Sequence, residues 1–374
     1  MQFRDLKKQY EVLKTEIDAG ISDVLLSAQF ISGAKIKQLE ENLAARVGRK
    51  FCVSCANGTD ALEMVLRCWG IGEHDAVFVP SFTFMSTAEV VSLVGGTPVF
   101  VDIDLATFNM DPESLRDAVQ KILVAGELKP KAVIPVDLFG QPADFEQILK
   151  IAEEYDLKVL EDAAQGFGGS INGKPACSFG DASSTSFFPA KPLGCYGDGG
   201  AIFTDCEATM QLLRSLCVHG KGKEKYENIR IGRNSRLDTI QAAILLPKLK
   251  AFFEYELDAV NHVAECYNQY LSDQVATPRV KTGFRSSWAQ YTILCRSREQ
   301  RDNLQQSLKA SGIPSMIYYP CGLHQQKAFS AGKYTAASLP MTEEATSRVL
   351  SLPMHPYLTD EEVKFVASKV NENL

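Results

Sequence analysis

Apolar residues recur along this chain with two different periods, and the change of period divides it. Over residues 5–19 and 35–47 they fall three and four positions apart, which predicts two amphipathic helices. The connector between them, LLSAQFISGA, carries Phe30 and Ile31, read as core or as part of a subunit contact, before Ser32-Gly33 breaks the pattern. From Phe51 onward, short apolar runs alternate with helical stretches. The runs predict strands over 51–55, 76–80, 98–103, 132–137, 158–161, 183–188 and 201–204. Helical patterns accompany them near 59–69, 83–94, 112–122, 144–155 and 207–217. Such alternation predicts an α/β fold with helices on both faces of a largely parallel sheet, whose ligands collect at the carboxyl ends of the strands.

Past Arg230 the pattern becomes helical, with Asn234 or Ser235 as a plausible cap and Pro247 as the point where a long helix would break. A strand over 288–295, a helix over 298–312, a short strand over 315–319 and a terminal helix then predict a smaller α+β unit. The expected division is therefore a large domain, 1–250, that includes the N-terminal helices, and a small domain, 251–374.

Composition narrows the function classes only modestly. The 374 residues, 45% apolar and 23% charged, suit a soluble protein with a large core. A net charge of −7 argues against a nucleic-acid partner, which would require a basic face. The apolar runs are too short to span a bilayer, and the start MQFRDLKKQYEVLK lacks an apolar signal core. These features predict a cytoplasmic protein without a membrane partner. The ten cysteines should then be reduced. Cys52 and Cys55 form a lone CxxC with no second pair at zinc spacing, so no metal site is expected and the cysteines read as small buried apolar residues.

The candidate chemistry lies at the predicted strand ends. In TSFFPAKPLGCYGDGGAIFT, Pro189 and Pro192 stiffen the backbone on either side of Lys191, and four glycines follow before the next strand. A lysine held among apolar groups should have a lowered pKa and act as the neutral nucleophile of a Schiff base, although the segment alone equally fits a turn lysine reaching solvent. After the first strand, Asn57-Gly58-Thr59 opens a helix whose free N–H groups suit a phosphate, or else forms an ordinary cap. Phe82 and Phe84 either stack on a planar heterocycle or belong to the core. The run VLEDAAQG ends in Asp162, a carboxylate that needs a cap role or a cationic partner when buried, such as a protonated ring nitrogen. Ser186 offers a hydroxyl five residues before Lys191. Taken together, these parts describe a site for pyridoxal 5'-phosphate. A nicotinamide dehydrogenase would carry G-x-G-x-x-G where Asn57-Gly58-Thr59 stands.

On FRDLKKQY, NGTDAL, PSFTF, VDID, EDAAQGFG, the lysine segment, RNSRLDTIQAAIL and LPMHP, the chain resembles the DegT/DnrJ/EryC1/StrS sugar-nucleotide aminotransferases, fold type I pyridoxal-phosphate enzymes. The lysine segment, NSRLDTIQAAILLPKL and LSLPMHPYL are most similar to members that aminate UDP-2-acetamido-2-deoxy-3-oxo-glucuronate for bacterial surface polysaccharides. The resemblance implies that Lys191 holds the cofactor, Asp162 pairs with its ring nitrogen, Gln165 contacts its phenolic oxygen and Phe84 stacks on its ring. It further implies a phosphate site of Gly58, Thr59 and Ser186, completed by Asn234 of a second subunit, with Arg236 and Tyr319 near the sugar. A homodimer with a shared active site follows. The implied reaction has two halves: L-glutamate leaves its amino group as pyridoxamine 5'-phosphate, and the UDP-linked keto-sugar takes it up, with Lys191 moving the proton in each. Other 3- or 4-keto-sugars linked to dTDP or GDP, or a catalytically silent cofactor-binding regulator, are the alternatives. Relatives that catalyse dehydration carry His where Lys191 stands.

Overall fold

A computed structural model describes residues 1–224, 226–329 and 338–374. The chain opens with α1 (Leu6–Ser27) and α2 (Ala34–Val47). It then alternates through β1 (Phe51–Cys55), α3 (Gly58–Cys68), β2 (Asp75–Pro80), α4 (Ser86–Leu93), β3 (Thr97–Val101), α5 (Pro112–Ala125), β4 (Lys129–Val133), α6 (Phe145–Glu154) and β5 (Lys158–Asp162). Two short strands, β6 (Ser170–Ile171) and β7 (Lys174–Pro175), precede β8 (Ala182–Ser186), β9 (Gly200–Thr204) and α7 (Glu207–Leu216). After these come α8 (Thr239–Ala251), α9 (Leu257–Tyr270), β10 (Phe284–Arg285), β11 (Tyr291–Leu294), α10 (Arg298–Ala310), α11 (Pro340–Arg348), β12 (Val349–Leu352) and α12 (Asp360–Asn371).

Seven strands form the main sheet in the order β1-β9-β8-β5-β4-β2-β3, with β9 antiparallel to both of its neighbours and the rest parallel. Burial on both faces explains why these strands show no polar alternation. Val77 and Val79 of β2 point into a core shared with α3, α4 and α7, while Ala76 and Phe78 point into one shared with α5 and α6. The mostly parallel α/β sheet expected of a fold type I enzyme is therefore present. A separate antiparallel pair, β11 and β12, packs with α10, and α9 and α12 pack on each other.

Several boundaries differ from the expectations, each for a local reason. The strand expected over 132–137 pairs as a ladder only to Val133. Pro135 has no N–H to donate, and the chain continues extended, with its carbonyl accepting from Asp162 N at 2.9 Å. The helix after residue 230 starts at Thr239, with Asp238 rather than Asn234 or Ser235 at its N-cap. Pro247 sits inside it without ending it. A proline there leaves the Ala243 carbonyl without its helical donor, and α1 crosses close by at Gly20, where a Cβ would lie 3.1 Å from that oxygen. The irregularity falls instead at a π-turn, Phe252–Glu256, which carries α8 into α9. The strand expected over 315–319 is reduced to one bridge between Met316 and Ser351. Phe30 and Ile31 lie at the surface of the single chain, 44% and 47% exposed, with Ile31 on a bridge to Asp238. Both residues of the CxxC are buried, whereas Cys206 is exposed.

Candidate active site

The carboxyl ends of β1, β2, β5 and β8 open into one cavity of 420 Å³. Larger hollows exist, such as a 540 Å³ groove lined in part by the solvated Glu16 and Lys250. Size therefore does not select the site, but the convergence of buried polar groups does.

The first turn of α3 forms one wall. Asn57 Oδ1 accepts from Asp60 N at 2.7 Å, which leaves the N–H groups of Gly58 and Thr59 without an acceptor inside the helix. A Cβ on Gly58 would come within 2.8 Å of the Ser186 Cβ, so a glycine is required for this turn to close against the end of β8. Backbone donors, a helix N-terminus and the Ser186 hydroxyl thus make an anion-sized cradle.

Opposite the cradle, at the end of β5, Asp162 is 4% exposed. Thr87 Oγ1 donates to its Oδ2 at 2.9 Å and Ala164 N to its Oδ1 at 3.2 Å. Burial still raises this carboxyl above its ordinary range, against the pull of those two donors and of the Lys191 charge. Among the described residues no cation is in ion-pair contact with it, and a protonated ring nitrogen would supply one.

Lys191 projects from the loop after β8. Enclosure lowers its pKa, the Asp162 charge raises it, and the Arg4 charge lowers it further. Lys191 as a whole is half-buried and lines the cavity, where its amine is disfavoured as a cation. Arg4 also holds the loop in place, donating from Nη2 to the Lys191 carbonyl at 2.8 Å and to the Pro192 carbonyl at 3.3 Å.

Gln165 Nε2 donates to the Tyr319 hydroxyl at 3.2 Å, while its Oε1 accepts from Phe139 N at 2.7 Å. Burial pushes the Tyr319 phenol well up, so it stays protonated. Phe84, 55% exposed, tilts toward the Tyr319 ring with 6.5 Å between centroids.

The structure thus brings Lys191, Asp162, Gly58, Thr59, Phe84, Gln165, Ser186 and Tyr319 around one cavity. Asn234 and Arg236 do not line it; in their own chain Arg236 Nη2 donates to Asn234 Oδ1 at 2.6 Å near the surface. Sequence reasoning missed Arg4, Thr87, Phe188, Gln290 and Tyr318. Thr87 and Arg4 act through partners 75 and 187 positions away, which no local pattern shows. Gln290 lies in an apolar strand pattern, yet its buried Oε1 has no partner among the described residues and belongs to a residue on the cavity wall.

A carboxylate, an amine of lowered proton affinity, an anion cradle and a flanking aromatic ring fit pyridoxal 5'-phosphate. Comparisons with known proteins point the same way. UDP-2-acetamido-2-deoxy-3-oxo-D-glucuronate aminotransferase of Pseudomonas aeruginosa is 46% identical over 369 residues, covering 98% of this chain and 99% of its own. The crystal structure of a DegT/DnrJ/EryC1/StrS aminotransferase from Brucella abortus, 47% identical, covers 100% of this chain and 99% of its own with a TM-score of 0.96. NtdA of Bacillus subtilis, solved with bound cofactor PMP, is 31% identical, covers 96% of this chain and 81% of its own, and superposes with a TM-score of 0.87. Residues 11–371 match the DegT/DnrJ/EryC1/StrS aminotransferase family, and the chain belongs to it.

Proposed function

We propose that this aminotransferase moves the amino group of L-glutamate onto a UDP-linked 3-keto-hexuronic acid, UDP-2-acetamido-2-deoxy-3-oxo-glucuronate, in the making of bacterial surface polysaccharide. The observation that carries the reading is the 46% identity, sustained over 98% of the chain, to the Pseudomonas aeruginosa enzyme named for that substrate. The cytoplasm is the compartment that fits such a substrate, and no helix among the described residues is long and apolar enough to cross a membrane.

In this reading the N–H groups of Gly58 and Thr59 and the Ser186 hydroxyl bind the phosphate of pyridoxal 5'-phosphate. Asp162 faces the ring nitrogen, Gln165 the phenolic oxygen, and Phe84 one face of the ring. The bound cofactor withdraws electrons from the carbon bearing the transferred nitrogen, which makes a proton there removable. Lys191 would take that proton from the α-carbon of glutamate and return it on the far side of the transferred nitrogen, at the cofactor's aldehyde carbon, and it would reverse the transfer for the sugar. A tethered amine of lowered pKa suits both directions. Tyr319 is already at the wall where the sugar would enter, and Gln290 Oε1, without a partner among the described residues, offers an acceptor to a sugar hydroxyl.

The shared site of a homodimer accounts for Asn234 and Arg236, which serve the cavity of the neighbouring subunit. Exposed apolar side chains near Asn234 along the chain or across the bridge support this: Ile229 and Ile231 lead into Asn234, Ile31 bridges to Asp238, and the Phe30 carbonyl accepts from Thr239 N at 2.8 Å. Residues 1–250 form the cofactor unit, and 251–374 form the smaller one that supplies Gln290, Tyr318 and Tyr319.

Incubating the pyridoxamine 5'-phosphate form of the enzyme with a panel of keto-sugar nucleotides, with products identified by mass and NMR, tests the assignment. The UDP-3-keto-hexuronate should be aminated fastest. Amination of only a dTDP- or GDP-linked sugar would transfer the function to that substrate. A cofactor absorption that glutamate leaves unchanged would point to a silent regulator or another donor.

A further inference from the structure

Away from the catalytic cavity, α9 and the start of α12 bring three ligating side chains to one point. His262 and Cys266, spaced i and i+4, share one face of α9, and Asp360 is the first residue of α12. His262 Nε2 lies 2.9 Å from Asp360 Oδ1 and 3.6 Å from Cys266 Sγ, while Sγ lies 3.8 Å from the same Oδ1. A tetrahedral zinc ion with bonds of about 2.0–2.3 Å keeps nitrogen, oxygen and sulfur donors roughly 3.3–3.6 Å apart. Each edge of the observed triangle therefore needs to change by no more than about 0.4 Å to accept the ion.

Local structure presets this geometry. Two of the donors ride on an uninterrupted helix. The third is set by a capping box, in which Thr359 Oγ1 accepts from Glu362 N at 3.2 Å and Glu362 Oε2 accepts from Thr359 N at 3.0 Å. Cys266 is 6% exposed, whereas the side chains of His262 and Asp360 are 59% and 49% exposed. The fourth tetrahedral position thus opens to water. The charges around the triangle are mixed: Glu265, next to Cys266, favours a cation, while the Lys364 ammonium, over the Tyr270 ring 5.3 Å from its centroid, lies near enough to act on Asp360 and Cys266.

We propose that His262, Cys266 and Asp360 bind a borderline divalent metal ion, zinc above all, which ties α9 to α12. A mixed nitrogen, sulfur and carboxylate donor set selects zinc or cobalt over magnesium or calcium. None of the three residues borders the Lys191 cavity, so the role is a structural cross-link of the C-terminal helices. The expectation of no metal site rested on the spacing of cysteine and histidine partners around the lone CxxC, and Asp360 lies 94 positions beyond Cys266.

The test is a Co²⁺ titration of the cofactor-loaded enzyme after chelator treatment. One ion per chain should produce visible d–d bands of tetrahedral intensity, at longer wavelength than the cofactor absorbs, together with a thiolate charge-transfer band. Zn²⁺ should displace it and raise the unfolding temperature. Cys266→Ser and His262→Asn should each abolish both effects and weaken zinc binding by more than the roughly tenfold that even an outer-shell partner commands. Metal-free turnover should be unchanged in both variants, and the exposed His262 can be replaced without disturbing packing. Bands of weak octahedral intensity, or cobalt and zinc binding that both variants retain, would overturn the site and leave an ion pair beside a thiol.

Discussion

Three influences set the proton affinity of the Lys191 amine: enclosure lowers it, the Asp162 carboxylate raises it and the Arg4 guanidinium lowers it. As the group proposed to carry the proton, Lys191 cannot be replaced. Lys191→Ala should reduce kcat by at least the roughly 10²–10⁴-fold that a positioned acid-base group contributes, and substantial turnover by the purified variant would refute the assignment. Arg4 is a positioning residue whose charge can be separated from its hydrogen bonds. A base must be neutral to accept a proton, so a lower pKa moves the rising limb of the kcat–pH profile toward acid. Arg4→Ala removes one cation and should shift that limb to higher pH. Arg4→Lys should keep the limb in place while loosening the grip on the Lys191 and Pro192 carbonyls. An unmoved limb in Arg4→Ala would mean that the guanidinium only fastens the loop.

At the scale of elements, a carboxyl pair joins β5 to the segment that follows β4. Asp137 and Glu161 are both fully buried. Glu161 accepts from Cys177 N at 2.7 Å and Phe179 N at 2.8 Å, while among the described residues Asp137 Oδ1 accepts only from Ala143 N at 3.0 Å and its Oδ2 finds no donor. Glu161 is the better solvated by backbone donors, so Asp137 keeps the proton and donates it to its neighbour. Burial raises both, Glu161 to about 7 and Asp137 well above its ordinary range. A carboxyl whose pKa is higher folded than unfolded binds protons more tightly in the native state. Its contribution is complete in acid and is lost as pH rises through about 7 and beyond. Urea titrations should therefore show the wild type losing stability as pH rises through this window. Asp137→Asn should flatten that loss and stay within about 1 kcal/mol of wild type at neutral pH, because the amide can donate in the proton's place; Asp137→Ala should lose about 1–3 kcal/mol. A pH-independent wild type would sink the shared-proton account.

For the whole molecule, the question is whether one chain completes a site. Lys191 faces its own cavity, whereas Asn234 lies outside it. If subunits complement one another, mixing inactive Lys191→Ala and Asn234→Ala chains creates hybrid dimers with one intact site each. After random exchange, about a quarter of the wild-type rate should return. No recovery, despite exchange confirmed by mass spectrometry, would place Asn234 outside the catalytic machinery.

The alternation of apolar runs and helical patterns, the glycine and proline punctuation around Lys191, and the Asn57-Gly58 helix start determined the α/β layering and the end of the sheet that carries the chemistry. Those signals are local, since periodicity and backbone preference act over a few residues. The same reasoning left Phe30 and Ile31 open between a core and a subunit contact, and put a helix break at Pro247, because it contained nothing about which surface each would meet. Tertiary structure alone decided that Arg4 grips the Lys191 loop, that Thr87 holds Asp162, and that Asp360 reaches His262 and Cys266. Each of these contacts joins residues dozens or hundreds of positions apart, brought together only when the elements between them pack.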